Sequence, residues 1–203
     1  MINDNYCPVC ESSISEWKRK IIDNQEYKID LCNDCGYAFI NPRPTQEFIS
    51  KYYETFNISD EVIQTEIKVD KYSYSDIDAK RIVQNISKFT NNINGLNFLD
   101  VGSGHGLISR AALNSDFNVT ALEMSNIERH IAYSIAKIMP IDSNLEDYIC
   151  DSDSLDVINL SQVLEHVVDI NLFTSKASHL LKKGGLIAIA LPNFKSFFTL
   201  ILK

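Results

Sequence analysis

Along residues 77–190 the apolar positions switch repeatedly between helical spacing and short unbroken runs. Ala79, Ile82, Val83, Ile86 and Phe89 recur at helical intervals, which predicts an amphipathic helix over 77–89. Asn94-Gly95 turns the chain into an apolar strand over 98–101, followed by a glycine turn and a helix over 108–113. A second strand is expected over 119–122. Ser125-Asn126-Ile127-Glu128 reads as a capping box for a helix carrying Ile127, Ile131, Ile135 and Ile138 on one face, which Pro140 ends. A brief strand at Ile141, an acidic loop over 146–153 and a buried strand over 155–160 come next. A helix over 169–181 has Ile170, Phe173, Ala177 and Leu180 inward, with Lys182-Lys183-Gly184-Gly185 as its basic last turn and glycine exit. A strand over 186–190 brings the count to five. Strands alternating with helices imply an α/β fold with a parallel, Rossmann-like sheet.

Ahead of this region, two strands over 17–23 and 27–31 flank a turn at Asn24-Gln25-Glu26. Asn41-Pro42-Arg43-Pro44 makes a stiff, non-helical joint, and Thr45 is an N-cap candidate for a short helix through Tyr53. Residues 56–76 are polar with scattered aromatics, Tyr72 and Tyr74 among them, and read as helix fragments and loop. The expected organisation is a small leader over 1–41, a linker and helical cover over 42–95, and a ligand-binding domain over 96–203.

The stretch Asp100-Val101-Gly102-Ser103-Gly104-His105-Gly106-Leu107 carries the chemistry. Glycines between a strand and a helix let a ligand approach backbone, and the helix start offers free N–H groups. Leu107 stands where a dinucleotide fingerprint needs its third glycine, and Asp100 would repel a pyrophosphate while suiting a ligand with an ammonium group. Glu123, at the end of the next strand, is placed to accept from both hydroxyls of a ribose. A nucleoside with a cationic tail, such as S-adenosylmethionine, satisfies both acids.

The glycine stretch, Glu123, Leu155-Asp156-Val157-Ile158 with Val163-Leu164-Glu165-His166-Val167, and Leu180-Leu181-Lys182-Lys183-Gly184-Gly185 resemble, in order and spacing, the successive motifs of class I S-adenosylmethionine-dependent methyltransferases. The resemblance covers about residues 96–193. It implies donor binding by Asp100, Gly102, Ser103, Gly104, His105, Gly106, Glu123, Met124 and Gln162, and transfer of a methyl group to carbon or oxygen. His105 either touches the methionyl carboxylate or faces solvent. Glu165 and His166 are the catalytic candidates, with a backbone-fixing role as the rival reading. Such a sheet has seven strands, so the last two are expected to be missing, through truncation or because a partner chain covers the edge.

Five cysteines occupy positions 7, 10, 32, 35 and 150. Cys7-x-x-Cys10 and Cys32-x-x-Cys35 have the spacing of two knuckles of a tetrahedral Zn²⁺ site, closed and therefore structural; a redox C-x-x-C is the alternative. The run from Cys35-Gly36-Tyr37 through Asn41-Pro42-Arg43-Pro44 to Tyr52-Tyr53 resembles the zinc-binding leader of bacterial methyltransferases that act on nucleotide sugars or other glycan precursors. A nucleotide-linked sugar is accordingly the expected small-molecule acceptor.

Composition narrows the partners. The 203 residues are 45% hydrophobic and 23% charged, with net charge −8, which disfavours a broad nucleic-acid surface. With no basic-apolar leader and no membrane-length apolar run, a cytoplasmic protein is expected. His130 and His179 read as structural and Cys150 as a partly buried thiol. Phe194, Phe197, Phe198, Leu200, Ile201 and Leu202 would need a cover, from a protein partner or self-association.

Overall fold

The computed structural model describes residues 1–22, 24–54, 74–90 and 92–192, so the expectations for 56–73 and for the apolar residues beyond 192 lie outside the described residues. The chain divides into two compact units, Met1–Phe56 with Val167–Phe173, and Asn57–His166 with Thr174–Lys203.

The first unit is built on a three-stranded antiparallel sheet in the order β1-β2-β3, with β1 Ile14–Ile22, β2 Gln25–Cys32 and β3 Ala38–Ile40. Two strands were expected. The third arises because Gly36, at φ +74, turns the chain back and lets residues 38–40 pair with 29–31. Asn24, at φ +62, supplies the left-handed residue of the β1–β2 turn. The joint at residues 41–44 is non-helical and contains a cis Asn41-Pro42 bond. Arg43 is held there by two bonds to Asp4, at 2.7 and 2.9 Å, by the paired backbones of Ile2 and Arg43, and by donation to the Val168 carbonyl. Helix α1, Gln46–Glu54, is capped by Thr45, whose Oγ1 accepts from the Phe48 amide at 3.3 Å.

The second unit holds a parallel sheet in the order β5-β4-β6-β7. Its strands are β4 Asn97–Val101, β5 Asn118–Leu122, β6 Leu155–Ser161 and β7 Leu181–Ala190. Its helices are α2 Tyr74–Ser87, α3 Leu107–Leu113, α4 Asn126–Ala136 and α5 Ile170–Leu180, the last shared with the first unit. Among the described residues the sheet thus has four strands rather than five. Ile141 makes a single parallel bridge beside Leu122 and goes no further.

Apolar burial explains the layering. Ala79, Val83 and Ile86 of α2 pack with Phe98, Ala111, Ala112, Phe117 and Val157, and the Phe98 and Phe117 rings meet at 5.2 Å and 58°. Burying a side chain of this size stabilises by roughly 1.5–3 kcal/mol. Phe89, expected on that apolar face, is 77% exposed because α2 has already ended.

Three further boundaries differ. Helix α4 stops at Ala136, four residues before Pro140, because Lys137 takes φ +62 and its amide bonds the Tyr133 carbonyl. Only half of the capping box forms: Ser125 Oγ accepts from the Glu128 amide, while the Ser125 amide donates to Glu123. Residues 182–185 belong to β7, not to the helix end. The register jumps from Leu155↔Leu181 to Val157↔Leu186, Gly184 takes φ +84 in the extruded segment, and Lys182 Nζ pairs with both oxygens of Asp156 at 2.8 Å. Asp153 and Ser154 amides cap α5 instead, through the His179 and Leu180 carbonyls.

Candidate functional site

Strand order reverses direction at β4, since the chain passes from β4 to β5 on one side and later places β6 on the other. The C-terminal ends of parallel strands at such a point are where open α/β sheets bind ligands. The glycine loop leaves β4 there, Glu123 follows β5, and Gln162 follows β6.

Gly102, Gly104 and Gly106 all have positive φ, at +61, +50 and +73. They differ in what surrounds them. A Cβ on Gly102 would lie 3.0 Å from Val163 Cγ2, and one on Gly106 would lie 3.0 Å from Ala132 Cβ, whereas one on Gly104 would meet nothing within 4 Å. Gly102 and Gly106 therefore permit packing, and Gly104 keeps an open approach to backbone. Ser103 donates its amide to the Leu122 carbonyl at 2.9 Å, while its Oγ is buried without a hydrogen-bond partner.

Glu123 is drawn into this loop. Its Oε2 accepts from the Gly104 amide and its Oε1 from the Ser125 amide, both at 2.9 Å. Burial pushes its carboxyl above the ordinary value against the pull of those amides, and the charge of Glu128 pushes the same way. Glu128 Oε2 lies 3.0 Å from His105 Nε2 without the alignment of a hydrogen bond. His105 thus packs toward the first turn of α4. Arg129 Nη1 donates to the Glu123 and Met124 carbonyls at 3.0 and 2.8 Å, fixing the chain at Met124.

Asp100 is 1% exposed beneath the loop, with Ser109 Oγ on one oxygen at 2.6 Å and Asn159 Nδ2 on the other at 2.8 Å. Gln162 is exposed at φ +59, with its amide on the Ala190 carbonyl at 2.8 Å. Glu165 and His166 are exposed on a short 3-10 turn, Leu164–His166, held by the His166 amide on the Val163 carbonyl. A loop with an open glycine, an orphaned Ser103 hydroxyl and a neighbouring carboxylate fits a ligand with hydroxyl and amine groups.

In the first unit the four paired cysteines converge. Cys7 and Cys35 sulfurs lie 3.7 Å apart, Cys10 and Cys32 sulfurs 3.5 Å apart, and all four are within 4.8 Å of one another. A zinc tetrahedron with bonds of about 2.3 Å has an edge of about 3.8 Å, so the donor set fits the ion. Amides of Val9, Asp34 and Cys35 point at the Cys7 and Cys32 sulfurs at 3.4 Å, as thiolate ligands require. Each close sulfur pair joins different knuckles, an arrangement that suits one shared ion better than two separate C-x-x-C redox pairs. Cys150 is separate and half-buried, near Ser154 Oγ at 3.7 Å.

A family model described as a methyltransferase domain matches residues 74–197, which include every element of the glycine-loop site. The chain belongs to the methyltransferase-domain family.

Relatives of this methyltransferase domain include proteins named ubiquinone biosynthesis O-methyltransferase. The one from Rickettsia conorii is 38% identical over 112 residues, covering 52% of this chain and 38% of the relative, and the one from Brucella ovis is 32% identical over 108 residues, covering 50% and 43%. The chain therefore spans less than half the length of these relatives. Solved structures share the fold: a putative S-adenosyl-L-methionine-dependent methyltransferase from Methanococcus maripaludis has TM-score 0.54 at 20% identity, covering 66% of each chain. Phosphoethanolamine N-methyltransferase 2 from Haemonchus contortus has TM-score 0.56 at 15% identity over 85% of this chain and 45% of that one. The [4+2]-cyclase SpnF has TM-score 0.57 at 16% identity, covering 72% and 60%. A cyclase on the same fold means that fold alone does not assign the reaction. Among the described residues no helix is long and apolar enough to cross a membrane.

Sequence reasoning passed over Ser109, Glu128, Arg129 and Asn159 in this methyltransferase domain. Asn159 left a signal: a polar residue inside the apolar run Leu155-Asp156-Val157-Ile158-Asn159-Leu160. Glu128 was marked only as part of the capping box, and Ser109 and Arg129 sit at ordinary helix positions and left none.

Proposed function

We propose that the chain binds S-adenosylmethionine at the glycine loop and directs its methyl group to an oxygen or carbon of a small acceptor. The observation that carries this reading is the convergence of the Gly104 backbone, the Glu123 carboxylate and the turn after β6 at the ends of three adjacent strands, inside the matched family region. Glu123 accepts from the ribose hydroxyls on the lone pairs its two amide bonds leave free. Ser103, Gly104 and His105 line the methionyl part, and Met124, pinned by Arg129, flanks the nucleoside. Bound there, the donor supplies an electrophilic sulfonium methyl, so a new bond to the acceptor forms as the carbon–sulfur bond breaks and the sulfur leaves as a neutral thioether. The protein aligns the nucleophile, excludes water and accepts the acceptor proton, for which His166 or Glu165 is the candidate base.

The acceptor proposed first is a nucleotide-linked sugar or glycan precursor, supported by the resemblance of the cysteine leader; the family match does not include that leader. The names of the relatives favour oxygen as the methylated atom and make an intermediate of ubiquinone biosynthesis the second acceptor class. Zinc at Cys7, Cys10, Cys32 and Cys35 has a structural role in this reading. Calorimetric titration of S-adenosylmethionine and S-adenosylhomocysteine tests the donor site. Methyl transfer from labelled donor onto nucleotide-linked hexoses and onto hydroxylated ubiquinone precursors then separates the acceptors. Donor binding with no turnover on either set favours a catalytically incomplete cofactor-binding protein.

A further inference from the structure

Asp100, Ser109 and Asn159 are each 1% exposed and form one hydrogen-bonded chain under the glycine loop. Asp100 Oδ2 accepts from Ser109 Oγ at 2.6 Å and Oδ1 from Asn159 Nδ2 at 2.8 Å, and Asn159 Oδ1 accepts from Ser161 Oγ at 2.9 Å. Every donor to the carboxylate is neutral. Among the described residues no Lys, Arg or His forms an ion pair with Asp100. Cations on the adjoining elements are engaged elsewhere. Arg110, beside Ser109 on α3, pairs with Asp76 at 2.6 Å; Arg129 on α4 holds the Glu123 and Met124 carbonyls and Asp142; His105 of the loop faces Glu128. From the end of β5, Glu123 adds a second negative charge that disfavours ionisation of Asp100. A carboxylate desolvated in this way and given no counter-charge is costly to keep ionised, and a cation arriving at the loop relieves that cost.

We propose that Asn159, together with Ser109, is a positioning residue of the donor site: it holds the Asp100 carboxylate beneath the glycine loop, where its charge attracts the cationic part of the ligand without touching it. This rests on the donor-site reading above and deepens it, since it assigns the missing counter-charge to the ligand. Asn159 spans from Asp100 on β4 to Ser161 at the end of β6, so a change at either strand end reaches the carboxylate through one amide.

The test uses calorimetry with two probes. S-adenosylmethionine carries a sulfonium and an ammonium, and 5′-methylthioadenosine carries neither. Asp100→Asn removes the charge but keeps every hydrogen bond, because the Asn159 amide can flip and Ser161 can accept in place of donating. The full chain, zinc-loaded, is compared with Asp100→Asn, Asn159→Ala and the double variant; Asn159→Ser replaces Asn159→Ala if the latter fails to fold. In Asp100→Asn, affinity for S-adenosylmethionine should fall on the order of tenfold relative to 5′-methylthioadenosine, the scale of a charge interaction over several ångströms. Asn159→Ala should lower the same ratio, and the double variant should be no worse than Asp100→Asn alone. An unchanged ratio, an equal loss for both probes, or losses that multiply in the double variant would each overturn the proposal. Failure of the unaltered chain to bind either probe would instead remove the donor-site reading itself.

Discussion

The amide of Gly104 donates to Glu123 Oε2 at 2.9 Å, so the acid at the end of β5 shapes the glycine loop before any ligand arrives. The Ser125 amide takes the other oxygen at 2.9 Å, tying the start of α4 into the same arrangement. Glu123→Ala therefore removes the proposed ligand contact and the brace of the loop together. Hydrogen bonds to a charged group contribute about 1.5–3 kcal/mol each. Calorimetric affinity for S-adenosylmethionine should drop at least tenfold, with Glu123→Gln intermediate because its amide nitrogen cannot accept from the second N–H. An affinity within twofold of the unaltered chain would refute the assignment.

Gly104 and Gly106 should fail in different ways. Both have positive φ, so alanine at either is strained by about 1 kcal/mol. The Gly106→Ala methyl also meets Ala132 and Ala136 of α4 at 3.0 and 3.3 Å, and the melting temperature should fall markedly. The Gly104→Ala methyl meets open space, so stability should change little while donor affinity falls. Thermal unfolding and calorimetry on both variants separate these outcomes; the reverse pattern would contradict the geometry.

The cysteine cluster should bind one zinc per chain, measured by atomic absorption after removal of loosely held metal. Cys32→Ala, which deletes a buried ligand whose sulfur receives the Asp34 and Cys35 amides, should abolish that stoichiometry. Metal binding is folding energy in so small a sheet, so chelation should expose the 1–41 segment to proteolysis. Zinc retained by the Cys32 variant would argue against the four-sulfur site.

Asp76 on α2 is buried and meets Lys80 at 2.5 Å and Arg110 of α3 at 2.6 Å. Burial pushes its carboxyl upward, but the two cations outweigh that and bring it below the ordinary 3.8. A lowered folded-state value means that stabilisation is present above pH 3.8 and is lost as pH falls through the folded value. Asp76→Asn should cost about 1–3 kcal/mol at neutral pH, and the gap in melting temperature from the unaltered chain should close below that range. A gap that persists undiminished in acid would show that the ion pairs do not hold the helix.

Element types in the second unit were legible because each buried face repeats its own period: Ala79, Val83 and Ile86 for a helix, Phe98-Leu99 and Val157-Ile158 for strands. Ends were less legible. Nothing in the composition of residues 126–140 marks Lys137 as the left-handed residue that stops α4, and Pro140 was the stronger local signal. Residues 182–185 have the charge and glycine content of a helix exit yet are extruded from β7, because Asp156 on the neighbouring strand draws Lys182 to it. The third strand of the leader likewise depended on a partner, β2, that local sequence cannot supply.

The sequence by itself determined the alternation of strand and helix, the glycine loop, the acid after β5 and the two cysteine pairs, since local periodicity and spacing within a few residues encode each of them. Only the tertiary structure decided what those groups face. It buried Asp100 against Ser109 and Asn159, and it closed Glu123 onto the Gly104 amide. It also brought Cys7 to Cys35 and Cys10 to Cys32. The physical reason is the same in each case: a hydrogen bond or a metal ligand is completed by a residue distant in sequence, and strand order and register, rather than local pattern, bring that residue within reach.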